Sequence, residues 1–216
     1  MKRYMKIIGA ALMTIMCFVV PAMAAGGDAV VADGSISLSN VENDPNVTVS
    51  NAMSFSEMVE RYAENAGITY QEALDEFADV AAPCAISTYD IYYRVFSITL
   101  NVDTSYKPHL EIFCQTSEGG HFRNIDSIYD VQLVRSYGGT SKQFDGKVNV
   151  WLRNHNEIEY VVNGDFYNNG TTSITAGLGG TINVGESGSV TFSVTGGFTG
   201  SHYKYFYKHD TVTYGG

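Results

Sequence analysis

The chain has 216 residues, 44% of them hydrophobic and only 17% charged, so it can bury a sizeable core and is not a disordered segment. Its formal net charge of −10 argues against a nucleic-acid partner, because holding phosphates requires clustered cations. Twenty-two glycines, 15 tyrosines and 11 phenylalanines against four prolines favour strands and turns over a helical bundle.

Lys2, Arg3 and Lys6 precede an apolar run from Ile7 to Val20, which ends at Pro21 and the small-x-small sequence Ala22-Met23-Ala24. That pattern predicts a signal peptide over residues 1–24, cleaved before Ala25. The run is shorter than the roughly 20 residues a membrane helix needs, and no later stretch predicts an anchor once the signal is removed. The expected location is secreted, extracellular or loosely associated with a cell wall. Cys17 leaves with the signal, so Cys84 and Cys114 remain as an even pair. A disulfide between them would stabilise the fold by roughly 3–4 kcal/mol through loop closure; the alternative is two free buried thiols.

Residues 25–53 are rich in Gly, Asp, Asn, Ser and Val without a sustained period, which predicts a flexible acidic segment or a loosely held edge. Asp44-Pro45-Asn46 is a turn signal within it. Residues 54–82 then predict a helical hairpin. Phe55, Met58, Val59, Tyr62, Ala63 and Ala66 recur at helical spacing, and Ala73, Leu74 and Phe77 continue an apolar stripe. Ser54 with Glu57, and Thr69 with Glu72, make two capping boxes, with Gly67 placed to end the first helix. A pair this short cannot hold a core alone, so its apolar stripes are expected to pack on the following domain. Residues 25–80 carry eleven acids and one base, Arg61.

From Tyr89 the period becomes two. Phe96, Ile98, Leu100 and Val102 alternate with polar residues, as do Leu110, Ile112 and Cys114, and later Val148, Val150 and Leu152. Ile158, Tyr160 and Val162 follow, then Val190, Phe192 and Val194, and a last strand from His202 to about Thr213. Short strands with glycine-rich punctuation and no intervening helix predict an antiparallel β-sandwich over residues 83–216.

The stretch Asp165-Phe166-Tyr167-Asn168-Asn169-Gly170, with Ile182-Asn183-Val184-Gly185-Glu186-Ser187 and Val190-Thr191-Phe192-Ser193-Val194, resembles the second half of bacterial immunoglobulin-like modules. The resemblance covers about residues 160–195. It implies an Ig-like β-sandwich and transfers no active site, because such folds host many functions.

Catalytic and metal chemistry find few parts. Gly185-Glu186-Ser187-Gly188 is similar to a serine-protease nucleophile motif, yet its position predicts a hairpin turn, and the early histidines His109 and His121 lack the family's context. Glu157 and Glu159 share a strand face, as a glycosidase dyad or a solvated face would. The five histidines show no metal-ligand spacing. No catalytic residue, metal or cofactor is expected, and a hydrolase reading has no assigned site.

The aromatic residues point instead to binding. Alternation predicts Tyr203, Tyr205 and Tyr207 on one face of the last strand and sets Trp151 opposite Val150 and Leu152, as a contact residue or beneath the helical hairpin. Tyr and Trp on a flat sheet offer apolar planes with a polar rim, suited to stacking on sugars or partner proteins. The expectation is a non-catalytic binding protein that contacts glycan or a cell-surface protein through Trp151, Tyr203, Tyr205 and Tyr207. An alternative is a β-pore-forming or bacteriocin-like effector, since residues 170–200 also read as an uncharged alternating hairpin of the kind that inserts into lipid.

Overall fold

A computed structural model of the chain describes residues 44–78, 90–178, 180–195 and 201–215. The proposed signal peptide and Cys84 lie outside the described residues.

The helical hairpin forms where the capping signals place it. In α1 (Phe55–Ala66), the Ser54 hydroxyl accepts the Glu57 N–H while Glu57 accepts the Ser54 N–H at 2.7 Å. Gly67, at φ 68°, adopts the left-handed conformation that closes the helix. Thr69 and Glu72 repeat the box at the start of α2 (Tyr70–Glu76).

The remainder is an antiparallel β-sandwich. The first sheet has the order β1-β2-β3-β4-β10, from β1 (Val47–Val49), β2 (Asp90–Thr99), β3 (His109–Gly119), β4 (Phe122–Val134) and β10 (Ile182–Asn183). The second has the order β12-β8-β7-β11-β9, from β7 (Gln143–Asn154), β8 (Glu157–Tyr167), β9 (Thr171–Ala176), β11 (Ser187–Thr195) and β12 (His202–Thr213). A small hairpin, β5 (Ser136–Tyr137) and β6 (Thr140–Ser141), lies between β4 and β7 in the sequence. The alternating residues Phe96, Ile98, Ile112, Val150, Leu152, Val162 and Phe192 meet in the core between the sheets.

Part of the 25–53 segment belongs to the sandwich. Asp44 accepts the Asn46 N–H at 2.8 Å in the expected turn, and β1 pairs with β2 from Val47 to Val49. Three residues are too few to show a period, so pattern alone does not separate this edge from a spacer.

The hairpin covers the outer face of the first sheet. Met58, Val59, Tyr62, Ala73 and Phe77 form a second core with Val95, Phe113 and Tyr129, which point away from the main core. Tyr62 packs edge-on against Phe77 at 4.8 Å and Phe113 at 5.6 Å. Arg61, the base of an otherwise acidic segment, clamps the buried Glu111 of β3 through Nη2–Oε1 at 2.7 Å and Nε–Oε2 at 3.2 Å. Asn65 donates to the same carboxylate at 2.7 Å. Apolar contact supplies most of the docking and the ion pair fixes its register.

In the second sheet Gly146 and Gly164 sit opposite each other with the Phe144 ring across both. A Cβ at Gly164 would lie 2.4 Å from the Asp145 carbonyl oxygen and 2.7 Å from the Phe144 ring. Gly164→Ala is therefore expected to cost about 3 kcal/mol in urea unfolding, because backbone as well as ring must move. A loss below about 1 kcal/mol would show that the strands part easily there.

Candidate functional site

With the first sheet's outer face taken by the hairpin, the outer face of the second sheet is the broad surface left to the sandwich. Its rows follow from the strand register. Tyr207 of β12 stands beside Asn163 of β8, Lys147 of β7 and Thr191 of β11. One row along, Tyr205 stands beside Asp165 and then Asp145. Thr211, Glu159, Trp151 and Ser187 form a third row toward the other end.

Tyr205 and Tyr207 are the exposed aromatic pair of this face, at 55% and 56% of full exposure. Their Cα atoms are about 7 Å apart, two residues along a strand. The Tyr205 hydroxyl donates to Asn163 Oδ1 at 2.9 Å, which steadies the ring while leaving its plane open. Among the described residues, the other exposed large apolar side chains, Tyr70, Ile91, Phe122, Ile174 and Val184, stand on separate segments and make no comparable pair.

Tyr203 does not share this face. A β-bulge between His202 and Lys204 shifts the β12 register, and Tyr203 turns toward the interior. It packs on Tyr106 at 5.9 Å, with the Lys142 ammonium 3.8 Å from its ring centre. One extra residue in an edge strand reverses the alternation before it, which simple period counting cannot detect.

Trp151 is on the outer face, as alternation requires, but the helical hairpin lies on the other sheet and does not cover it. It is half-buried, with the Arg153 guanidinium 5.7 Å from its ring centre. Arg153 also bonds Glu159, which accepts from His209 Nε2 at 2.7 Å. The hydrogen bonds from Arg153 and then His209 hold the Glu159 carboxyl below its ordinary range. Trp151 lies about 16 Å from Tyr207, two strands across and four residues along. The four predicted aromatics therefore divide: Tyr205 with Tyr207, Trp151 apart on the same face, and Tyr203 inside.

Asn163 and Lys147, which complete the tyrosine row, are polar outward positions that alternation on β7 and β8 already marks. What the sequence lacked was their register against β12. Charges on the face are largely paired, Glu159 with Arg153 and His209, and Asp165 with His202 at 2.8 Å. Such a surface suits neutral, planar contacts better than a strongly charged ligand.

Ser187 follows the β10–β11 turn, in which the Glu186 side chain accepts the Asn183 N–H at 2.8 Å. Glu157 and Glu159 share the outer face, with Glu159 tied to Arg153 and His209. Cys114 is a free thiol buried in the main core, and burial pushes its pKa well above the ordinary value. A bridge to it requires Cys84 to reach the interior between the sheets. Among the described residues no group of three or more His, Cys, Asp or Glu is placed to hold a metal ion. Comparison with protein-family models, with curated proteins and with solved structures finds no match to this chain.

Proposed function

We propose that this is a secreted, non-catalytic binding protein of a bacterial cell surface or extracellular space, and that the outer face of the second sheet is its contact surface. The observation that carries the reading is the pair Tyr205 and Tyr207, two neighbouring open rings on a flat face bordered by Asn163 and Lys147. Two neighbouring open rings on one flat face offer a ready stacking surface. A saccharide chain is the ligand best matched, because pyranose faces stack on aromatic planes while hydroxyls meet the amide and ammonium groups beside them. A protein partner would use the same anchors.

The test is co-sedimentation of the purified protein with insoluble cell-wall and plant polysaccharides, and with intact bacterial cells. Tyr205→Ala/Tyr207→Ala should weaken binding at least tenfold, since truncating an anchoring aromatic costs about 2 kcal/mol. Trp151→Ala should have a smaller effect. Binding to cells that survives removal of surface protein supports the glycan, and binding lost with the protein supports the partner. Equal retention of the double variant and the parent would remove this face from the function.

A further inference from the structure

A cleft of about 530 Å³ opens beside β4 on the side of the sandwich away from the tyrosine pair's edge strand. It exists because β10 pairs with β4 only at Ser127 and Ile128, leaving the rest of that edge of β4 without a described strand beside it. Ile68 from the α1–α2 turn, Leu133 of β4 and Phe192 of β11 form apolar walls. The volume suits a small organic ligand.

The polar groups at the helical end are of one kind. Asp130 of β4 and Glu76 of α2 line this end of the cleft together with Tyr62 and Val131, whose polar groups partly offset the burial of the Asp130 carboxyl. Gln132 donates its amide to the Tyr62 carbonyl oxygen at 3.4 Å, which fixes the amide's orientation. Its Oε1 is buried and has no hydrogen-bond partner. The nearby Glu111 is neutralised by Arg61. The side-chain amides of Asn65 and Gln132 are thus engaged by the protein, whereas a buried amide oxygen and the Asp130 and Glu76 carboxyl groups stand at the same end as acceptors. A buried acceptor without a partner costs about 1–3 kcal/mol, so a ligand that supplies N–H groups gains directly. Arg135, five residues further along the chain, makes the far end of the cleft cationic and is held by Gln143. Positive charge is therefore favoured only at the helical end.

We propose that this cleft binds a small organic cation, an ammonium or guanidinium group on an apolar body, whose N–H groups meet Asp130, Glu76 and the Gln132 amide oxygen. The inference is independent of the sheet-face reading, since it uses other residues on another side of the sandwich. Burial pushes Asp130 up to about 7, and the Glu76 charge adds to the effect. A ligand needing the carboxylate consequently binds about tenfold more tightly at pH 8 than at pH 6.

Isothermal titration of the purified protein with phenethylamine and agmatine tests the site, with 2-phenylethanol as the uncharged control. N-acetyl-lysine methylamide distinguishes a free amine from a side chain presented by a partner. The amines should bind in the micromolar to millimolar range and the alcohol at least tenfold more weakly. Asp130→Asn should weaken amine binding about 10–100-fold, and Tyr205→Ala/Tyr207→Ala should leave it unchanged. Binding of the capped lysine as tightly as the free amines identifies a presented side chain, and its failure identifies a small molecule. Either result supports the cation site. Amines that bind no better than the alcohol, or equal affinity in a folded Asp130→Asn protein, would overturn it.

Discussion

Glu118→Ala is expected to lower the unfolding free energy by about 3–5 kcal/mol at pH 7, because it strands a buried cation. Glu118, near the end of β3, accepts from Arg94 Nε at 2.5 Å and Nη2 at 2.7 Å. It also accepts from Thr116 at 2.9 Å and from the Tyr214 hydroxyl at 2.7 Å. Arg94 is only 6% exposed and donates its remaining arm to the Ser50 carbonyl at 2.7 Å. One carboxylate therefore ties β2, β3, the segment after β1 and the residues after β12 to a single point. Burial alone would raise the Glu118 pKa, but the hydrogen bonds from Arg94, Tyr214 and Thr116 outweigh it and hold the carboxyl at about 2.

The pH dependence follows from that depression. The contribution is complete above the ordinary glutamate pKa of about 4.3 and is lost as pH falls toward 2. Urea unfolding of parent and variant should differ by the full amount at pH 7 and by much less at pH 2.5. Glu118→Gln keeps an acceptor but leaves Arg94 unneutralised, so it should fall between the two. A difference below about 1 kcal/mol at pH 7 would show that water reaches Arg94 and replaces the pair.

Asp130→Asn is expected to act in the opposite direction and to stabilise the protein by about 2–4 kcal/mol at pH 8. A carboxyl raised by burial to about 7 is bound to its proton in the fold long after the unfolded chain has released it. Stability of the parent should therefore fall as pH rises from about 4 to about 7 on account of this group. Asparagine keeps the shape and an acceptor oxygen of the carboxyl but never ionises. The two proteins should be nearly equal in stability at pH 4, diverge as pH rises from about 4 to about 7, and hold that difference above it. A variant less stable than its parent at pH 8 would mean that the ionised carboxyl is better satisfied than its neighbours indicate. A residue that costs stability at neutral pH and lines a cleft is placed as functional groups are, and this agrees with the cation site proposed for it.

Local signals in the sequence are legible because local physics sets them. Ser54-x-x-Glu57 and Thr69-x-x-Glu72 each close their own hydrogen bonds within four residues, so both helix starts were legible. Alternation over Phe96–Val102 and Val148–Leu152 likewise gave the faces that meet in the core. Long-range effects were not legible. Val95, Phe113 and Tyr129 occupy outward positions of the first sheet, yet they are buried because the hairpin lies over them. Tyr203 left the tyrosine row because of a bulge in its pairing with β8. Arg94 and Glu118 are neighbours only through the β2–β3 register, and Tyr214 joins them from the far end of the chain. Asp130 reads as an ordinary outward acid on a strand until Tyr62, Glu76 and Gln132 are brought around it.

Tyrosine-selective footprinting observes directly whether the proposed contact face of the sandwich is covered when the protein meets a cell surface. Tyr70 on α2 is 44% exposed and reports on the helical side, whereas Tyr205 and Tyr207 report on the second sheet. Labelling of the purified protein, alone and mixed with isolated bacterial cell envelopes, should show Tyr205 and Tyr207 protected by the envelopes and Tyr70 labelled equally in both. Protection of Tyr70 with Tyr205 and Tyr207 unchanged would place the contact on the helical side and contradict the account.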